Sequence, residues 1–277
     1  MIIDQNIQLL LKLIIFFTFL MYTSSYKQCP RSTSTPIIPK YHLIEKCHKS
    51  KLNIAARGHF TSLTSCKRLA TQKQALAFNF SPKPNSSDPV EYTCDVLKCA
   101  EAEGGVSLSK DVRYDYYSIY AKPLPNINST CVPATGMFLI LTEKLNYTQA
   151  TAQCSNISAV LADISSEQRT DALAQALLSA DVDQAYVGMM RTNYSKFTIH
   201  NSTNSLDCST YRAWAPGHPR RDYNMSCVIL TKHRTWKTVS CQDNYQVICE
   251  LFPRGPYKKG SIFPSKNQNE HGTVYYC

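Results

Sequence analysis

The chain has 277 residues, 43% hydrophobic and 18% charged, which suffices for a buried core and excludes a broadly disordered protein. Lys and Arg number 30 against 20 Asp and Glu, a formal net charge of +10 that favours acidic partners without choosing among nucleic acid, sulfated glycan and anionic membrane. Twelve cysteines with no Cys-x-x-Cys pair argue against a zinc ribbon or a thioredoxin-type site and for an oxidising compartment.

Leu9 to Tyr22 is almost wholly apolar, broken by Lys12 and followed by Thr23, Ser24 and Ser25. The pattern predicts a secretory signal over 1–25, cut at about Ser25, with an uncleaved anchor as the alternative. No later apolar run reaches the roughly 18 residues of a spanning helix, so the mature chain is expected not to span a membrane. Eight Asn-x-Ser/Thr sequons follow, at Asn79, Asn85, Asn128, Asn146, Asn156, Asn193, Asn201 and Asn224. Together these features predict a glycosylated, secreted, extracellular protein.

The Pro-, Asn- and Ser-rich stretch Ala121–Cys131 reads as a linker between two halves. In the first half, Ser62 is an N-cap signal ahead of Leu63, Cys66, Leu69 and Ala70, which lie at helical spacing. Ala75–Phe80 alternates, with Leu76, Phe78 and Phe80 on one face and Asn79 on the other, where its sequon needs to be. Val90–Leu97 and Arg113–Ala121 read as further strands, and Pro82–Pro89 as a loop. A cysteine-bearing helix (SLTSCKRLATQKQALAFNF) before a hairpin that also carries cysteines (YTCDVLKC) resembles the PAN/apple module. The resemblance covers about 70 residues of the 26–121 half. It implies that Cys66 bridges to Cys94 or Cys99; a disulfide-stapled α+β domain of another kind is the alternative. Cys29 or Cys47 is then expected to reach Cys131.

In the second half, Asn146–Cys154 begins a helix with Tyr147, Ala150 and Cys154 on one face. Ser165 and Gln168 form a capping-box signal. Leu173, Ala176, Leu177 and Ala180 recur at i, i+3, i+4 and i+7 behind it. Tyr186–Met189 reads as a short buried strand. The segments YTQATAQC, VLADISSEQ, YVGM, YRAWAPGHP, CVIL and the closing Trp236, Cys241 and VICE resemble, in that order, the C-type lectin-like domain over 131–252. The fold class implied is α+β: two helices, two small antiparallel sheets and a long loop, placed after the smaller PAN/apple-like domain. The resemblance also implies Cys154–Cys249 and Cys227–Cys241 bridges. It makes Leu161, Val187, Trp214 and Trp236 core or loop anchors.

Sugar-binding members hold calcium through Glu-Pro-Asn or Gln-Pro-Asp and then Trp-Asn-Asp. Here those places read His218-Pro219-Arg220 and Trp236-Lys237-Thr238. Calcium takes about six to eight oxygen ligands, several of them carboxylate. With only Asp222 and Asp243 nearby, no metal and no cofactor are expected. The residues gained are basic: His218, Arg220, Arg221, Lys232, His233, Arg234 and Lys237. They make a candidate site for a sulfated or carboxylated polysaccharide or an acidic matrix or cell-surface protein; an ordinary solvated basic face is the alternative.

The seven histidines are scattered, and no His-Glu-x-x-His, Gly-x-Ser-x-Gly or Gly-rich phosphate loop is present, so an enzyme is not expected. Secretion argues against nucleic acid. The chain as a whole resembles insect secreted C-type lectin-like proteins, some of them cuticle-associated. That resemblance implies a calcium-independent, carbohydrate-binding or matrix-binding role, with a structural or adhesive role through protein contacts as the alternative. In the tail, 253–277, Cys277 is expected to bridge to Cys208 across the long loop; an intermolecular bridge is the alternative.

Overall fold

The computed structural model describes residues 39–82, 91–102, 105–121, 124, 129–193, 196–199 and 206–253. Several expectations lie outside these residues: the signal segment, Cys29, the sequons at Asn85, Asn128 and Asn201, the side chain of Asn193, and the tail bearing Cys277. The side chain of Cys208 lies outside them too.

The first half holds strands β1 (His42–Glu45), β2 (His48–Ser50), β3 (Ile54–Gly58), β4 (Ala77–Phe80), β5 (Cys94–Leu97), β6 (Leu108–Lys110) and β7 (Asp115–Ser118). Five of them form an antiparallel sheet in the order β1-β7-β4-β5-β3. Helix α1 (Leu63–Gln72) starts where Ser62 accepts a hydrogen bond from the Ser65 amide. Strand alternation sends Phe78, Phe80 and Val96 towards Cys66 and Ala70 of this helix. Cys66 is bonded to Cys94, which pins helix to sheet.

Asn79 faces the other way, but not into solvent. The short two-stranded antiparallel ladder of β2 and β6 covers that face. Asn79 is fully buried, and its amide closes two hydrogen bonds on one residue: it accepts from the Ser50 amide at 2.9 Å and donates to the Ser50 carbonyl at 2.9 Å. The sequon at Asn79 is therefore shielded in the folded chain, contrary to the sequence expectation. Central position in a sheet covered on both faces is the reason. Beside it, buried Asp95 is held by Lys49 at 2.8 Å and Arg57 at 3.3 Å.

The second half is an eight-stranded sheet. Its main path runs β14 (Trp236–Val239), β13 (Cys227–Thr231), β11 (Gln184–Asn193), β15 (Tyr245–Leu251), β9 (Gly136–Leu145) and β8 (Thr130–Val132). Two more strands, β10 (Ala159–Leu161) and β12 (Lys196–Ile199), pair with β15 and β11. Alternation separates two cores. One face of the sheet presents Leu139, Tyr186, Ile229, Val247 and Cys249, which pack with helix α2 (Tyr147–Asn156) and with Ala77, Leu97, Tyr116, Tyr120 and Leu124 of the first half. The other face presents Phe138, Val187, Met189, Val228, Leu230 and Ile248, which pack with helix α3 (Glu167–Ser179) and Trp236.

The two halves are thus not beads on a string. Leu124, within the stretch read as a linker, is 1% exposed in the shared core. The Tyr120 hydroxyl accepts from the Met137 amide at 2.8 Å, and the Ala121 amide donates to the Pro253 carbonyl at 2.9 Å. Cys131 is bonded to Cys99, which corrects the expectation that Cys29 or Cys47 reaches it; the shared core brings β8 beside the end of β5. Cys47 is itself disulfide-bonded.

Helix α2 begins at Asn146, which forms a reciprocal capping box with Gln149. For α3 the cap is Ser166, one residue beyond the expected Ser165, and its side chain accepts from Arg169. Ser165 is engaged by the preceding turn, where its amide and hydroxyl both donate to Asp163. Ala180 ends α3 as its C-cap and is exposed, so it is not part of the buried stripe. Strand β11 runs on to residue 193 and turns back into β12, where the sequence suggested a short strand and a polar stretch. Cys154 is bonded to Cys249 and Cys227 to Cys241. The first closes a separation of 95 residues, which stabilises by about 4–5 kcal/mol on chain-entropy grounds.

Gly188 of β11 lies against β10 so closely that a Cβ would meet the Leu161 carbonyl oxygen at 2.6 Å, while its amide donates to the Ala162 carbonyl at 2.8 Å. Gly188→Ala must push two backbones apart and is expected to cost on the order of 3 kcal/mol, read as a lowered denaturation midpoint. Asn79 makes a second test. When protein from a glycosylating host is treated with a glycan-releasing amidase in heavy-oxygen water, Asn79 is expected to remain unlabelled, whereas Asn156 and Asn224 are exposed and open to labelling. Label at Asn79 in folded protein contradicts the buried amide clamp.

Candidate functional site

The long loop lies between β12 and β13, and its Tyr211–Pro219 stretch packs along β14. Its anchor is aromatic. Trp236 is fully buried, and its indole donates to the Thr170 hydroxyl of α3 at 3.1 Å. Trp214 and Tyr211 meet it edge-on at 5.4 and 5.3 Å, and Phe197 of β12 packs on Trp214 at 4.9 Å. The Trp236 amide donates to Ala213 and the Ala215 amide to Trp236, so the loop is laced to β14 on its backbone as well. Gly217, at φ +76°, supplies the left-handed residue that turns the chain into the cis His218–Pro219 bond.

Here three of the expected residues come together. The Thr238 backbone amide donates to His218 Nδ1 at 3.0 Å, and the Thr238 hydroxyl lies 3.0 Å from the same nitrogen. The Arg220 amide donates to the Thr238 hydroxyl at 2.9 Å. Because a backbone N–H is always a donor, Nδ1 is an acceptor and the imidazole proton sits on Nε2. Burial, then the positive charges of Arg220 and Lys237, holds the His218 pKa below its ordinary value. His218 and Arg220 are thus joined through Thr238, and the charge of Lys237 on β14 acts on the imidazole as well. Arg221 is exposed on the adjoining turn.

The other three candidates are not part of this group. Lys232, His233 and Arg234 form the turn between β13 and β14, which leans on acidic residues. Lys232 pairs with Asp183 at 2.5 Å and Arg234 approaches Asp171 at 3.8 Å. The mutual attraction of Lys232 and Asp183 raises the lysine pKa and lowers that of the aspartate. His233 is exposed, and its charge also lowers the Asp183 pKa. The expected single surface is thus divided into a turn with local counter-charges and a loop group of like charges.

The sequence reading missed Arg191. Its side chain is 8% exposed, with the guanidinium 5.1 Å from the centre of the Phe197 ring. Nη1 donates to the Asp222 carbonyl at 3.0 Å and Nη2 to the Arg220 carbonyl. Nε is buried with no hydrogen-bond partner, and among the described residues no ion pair to a carboxylate is formed. An arginine in a stretch that scores as a polar loop gives no local sign of burial. The one available signal was its spacing, two residues beyond the buried Met189, which puts it on the core side of a strand that continues past 190.

These residues do not fit calcium. The inward-facing loop oxygens of Arg220 and Asp222 are engaged by Arg191, and the Thr238 hydroxyl by His218 and Arg220. Asp222 is turned to the Asn224 amide at 2.9 Å. Each unit cation within about 4 Å opposes an incoming ion by about 4 kcal/mol per unit of its charge at an effective dielectric of about 20. Among the described residues, no group of three or more His, Cys, Asp and Glu side chains converges as metal ligands would.

The His218 shift has a definite sign in stability. Its folded pKa lies below the ordinary 6.5, so the unfolded chain binds the proton more readily. The contribution is present above about pH 6.5 and is lost as pH falls through the lowered value. Wild type is expected to lose more thermal stability between about pH 7.5 and pH 5 than His218→Asn, whose δ oxygen stands where Nδ1 does and still accepts from Thr238. Equal losses refute the assignment.

Comparisons with known proteins concern mainly the second half. Residues 143–251 match the family model "Lectin C-type domain". The phospholipase A2 inhibitor CgMIP-II of Cerrophidion godmani is 37% identical over 46 residues, a segment covering 17% of this chain and 27% of the inhibitor. Among solved structures, human lithostathine aligns at 17% identity and TM-score 0.40, covering 44% of this chain and 95% of its own. Herring type II antifreeze protein aligns at 21% identity and TM-score 0.37, covering 42% and 91%. A calcium-independent type II antifreeze protein aligns at 19% identity and TM-score 0.35, covering 44% and 95%. Residues 143–251 thus carry the sequence signature of the C-type lectin domain, on a mixed α+β fold held by several disulfides.

Proposed function

We propose that the protein is a secreted, non-catalytic binding protein that recognises an anionic extracellular polysaccharide through its lectin-like long loop, without calcium. A C-type lectin-like domain fits a binding role rather than catalysis. The observation that carries the ligand class is the loop group itself: His218, Arg220 and Lys237 share one electrostatic neighbourhood, with Arg221 beside them and Arg191 beneath. Where a sugar-binding relative presents oxygens to a metal, this chain presents cations. Guanidinium and ammonium groups bind sulfate and carboxylate through charge-assisted hydrogen bonds. Secretion, glycosylation at exposed sequons, the PAN/apple-like nature of the first half and a cuticle or matrix setting belong to this reading. The four disulfides with both ends among the described residues are in keeping with it. No helix among the described residues is long and apolar enough to cross a membrane.

A heparin column separates the outcomes. Wild type is expected to be retained at low salt, eluted by salt and indifferent to EDTA. The triple variant Arg220→Gln, Arg221→Gln, Lys237→Gln removes three exposed or half-exposed cations worth about 0.5–1 kcal/mol each, which lowers affinity about 10- to 150-fold. Lys232→Gln with Arg234→Gln, whose charges are already met by Asp183 and Asp171, is expected to leave retention nearly unchanged. Binding lost on adding EDTA overturns the calcium-independent reading. No retention of wild type favours the alternative, adhesion through protein contacts.

A further inference from the structure

Arg191 poses a physical question that its neighbours do not answer by charge. A guanidinium taken out of water needs compensation, ordinarily from a carboxylate, and none pairs with it among the described residues. What it has instead is the dipoles of two backbone carbonyls, those of Arg220 and Asp222, and the face of the Phe197 ring. Both carbonyls belong to the basic loop. The Arg191 backbone takes part as well, its amide donating to the Ser226 carbonyl at 2.7 Å. One residue of β11 thus grips the loop at 220, 222 and 226, with two fixed, planar donors that a lysine cannot reproduce.

Several other hydrogen bonds in this stretch are local to the turn, among them the Ser226 hydroxyl donating to the Tyr223 carbonyl at 2.6 Å. The Arg220 amide reaches Thr238, and the Asn224 and Met225 amides turn back on Asp222, at 2.9 and 3.1 Å. Tyr223 and Asn224 are exposed. Without the guanidinium, the Arg220 and Asp222 carbonyls lose the donors that Arg191 supplies, and the turn that presents Arg220 and Arg221 loses that side chain's hold from β11. The anchor that feeds this grip is continuous: Arg191 lies on Phe197, Phe197 on Trp214 and Trp214 on Trp236, so the loop's shape is referred to the buried tryptophan of β14.

We propose that Arg191 is a positioning residue: a built-in cation that holds the 220–226 turn in one shape and thereby presents Arg220 and Arg221 to the ligand without touching it. The loop-ordering half stands on geometry alone; the ligand-presenting half rests on the reading under Proposed function.

The two halves are tested together in full-length protein. Arg191→Lys keeps the charge but not the two-carbonyl grip; Phe197→Leu keeps an apolar filler but removes the aromatic face. Amide exchange is read at Arg220, Asn224 and Met225, with Val247, Ile248 and Cys249 of the central strand as an internal reference. Exchange at the loop amides is expected to rise roughly tenfold or more in Arg191→Lys and by less in Phe197→Leu, with the reference amides unchanged. The salt needed to elute Arg191→Lys from heparin is expected to fall although the net charge is the same. Unchanged loop exchange, or an equal rise at loop and reference amides, overturns the positioning role. Loosened loop amides with undiminished heparin retention overturn the presenting half alone. If wild type does not bind heparin while the loop amides still respond, the proposed ligand fails and the positioning role stands.

Discussion

Strand Tyr245–Leu251 is the constraint on which the lectin-like half depends. It pairs antiparallel with β9 and β10 and in parallel with β11, and it carries Cys249 to helix α2. Its neighbour in the first turn of α3, Arg169, bonds both the Glu250 carboxylate and the Asp163 carbonyl. Because side chains alternate, Val247 and Cys249 enter the core shared with the first half, while Ile248 enters the one beneath α3 and Trp236. A slip of one residue exchanges the two sets and ruins both cores at once. Three strand partners, a disulfide and an ion pair fix that register.

The long loop inherits its precision from this arrangement. Trp236 stands on the far side of the same sheet, locked to Thr170, and the aromatic stack of Trp214 and Phe197 extends outward from it. The rigid part of the site is apolar and the variable part is polar: His218, Arg220 and Lys237 sit at the margin of a core that does not depend on them. This is the usual division of labour in a fold whose function lies in its loops. Chemistry at the margin can change from oxygen ligands to cations with no change in the sheet below.

Local signals made much of this legible. Ser62 and Asn146 each announce a helix start by an oxygen that caps a free amide, and the stripe of Leu173, Ala176 and Leu177 announces the face of α3. The order of YVGM, YRAWAPGHP, CVIL and VICE carried the family likeness because each segment has a fixed packing task, most plainly Gly188, where no side chain fits. What was illegible depends on contacts distant in sequence. Asn79 looked like an outward strand residue because nothing near it says that residues 48–50 will lie on top. Leu124 looked like part of a spacer because only the assembled core shows the hollow it fills. Lys232 and Arg234 joined Arg220 in one basic set because sequence does not show Asp183 and Asp171 beside them. Arg191 was hidden among polar neighbours, although its place on β11 decides its burial.

The shared core and the Cys99–Cys131 bond have a mechanical consequence. Two domains joined by a slack tether can be pulled apart with little resistance, and the tether absorbs the extension. Here the connection runs through a covalent link and through Tyr120, Leu124 and Met137, all of them buried. Among the described residues, tension applied at β14 passes through the sheet and the shared core into the first half. Halves joined through a common core and a disulfide take up load together, because separating them must first expose that core.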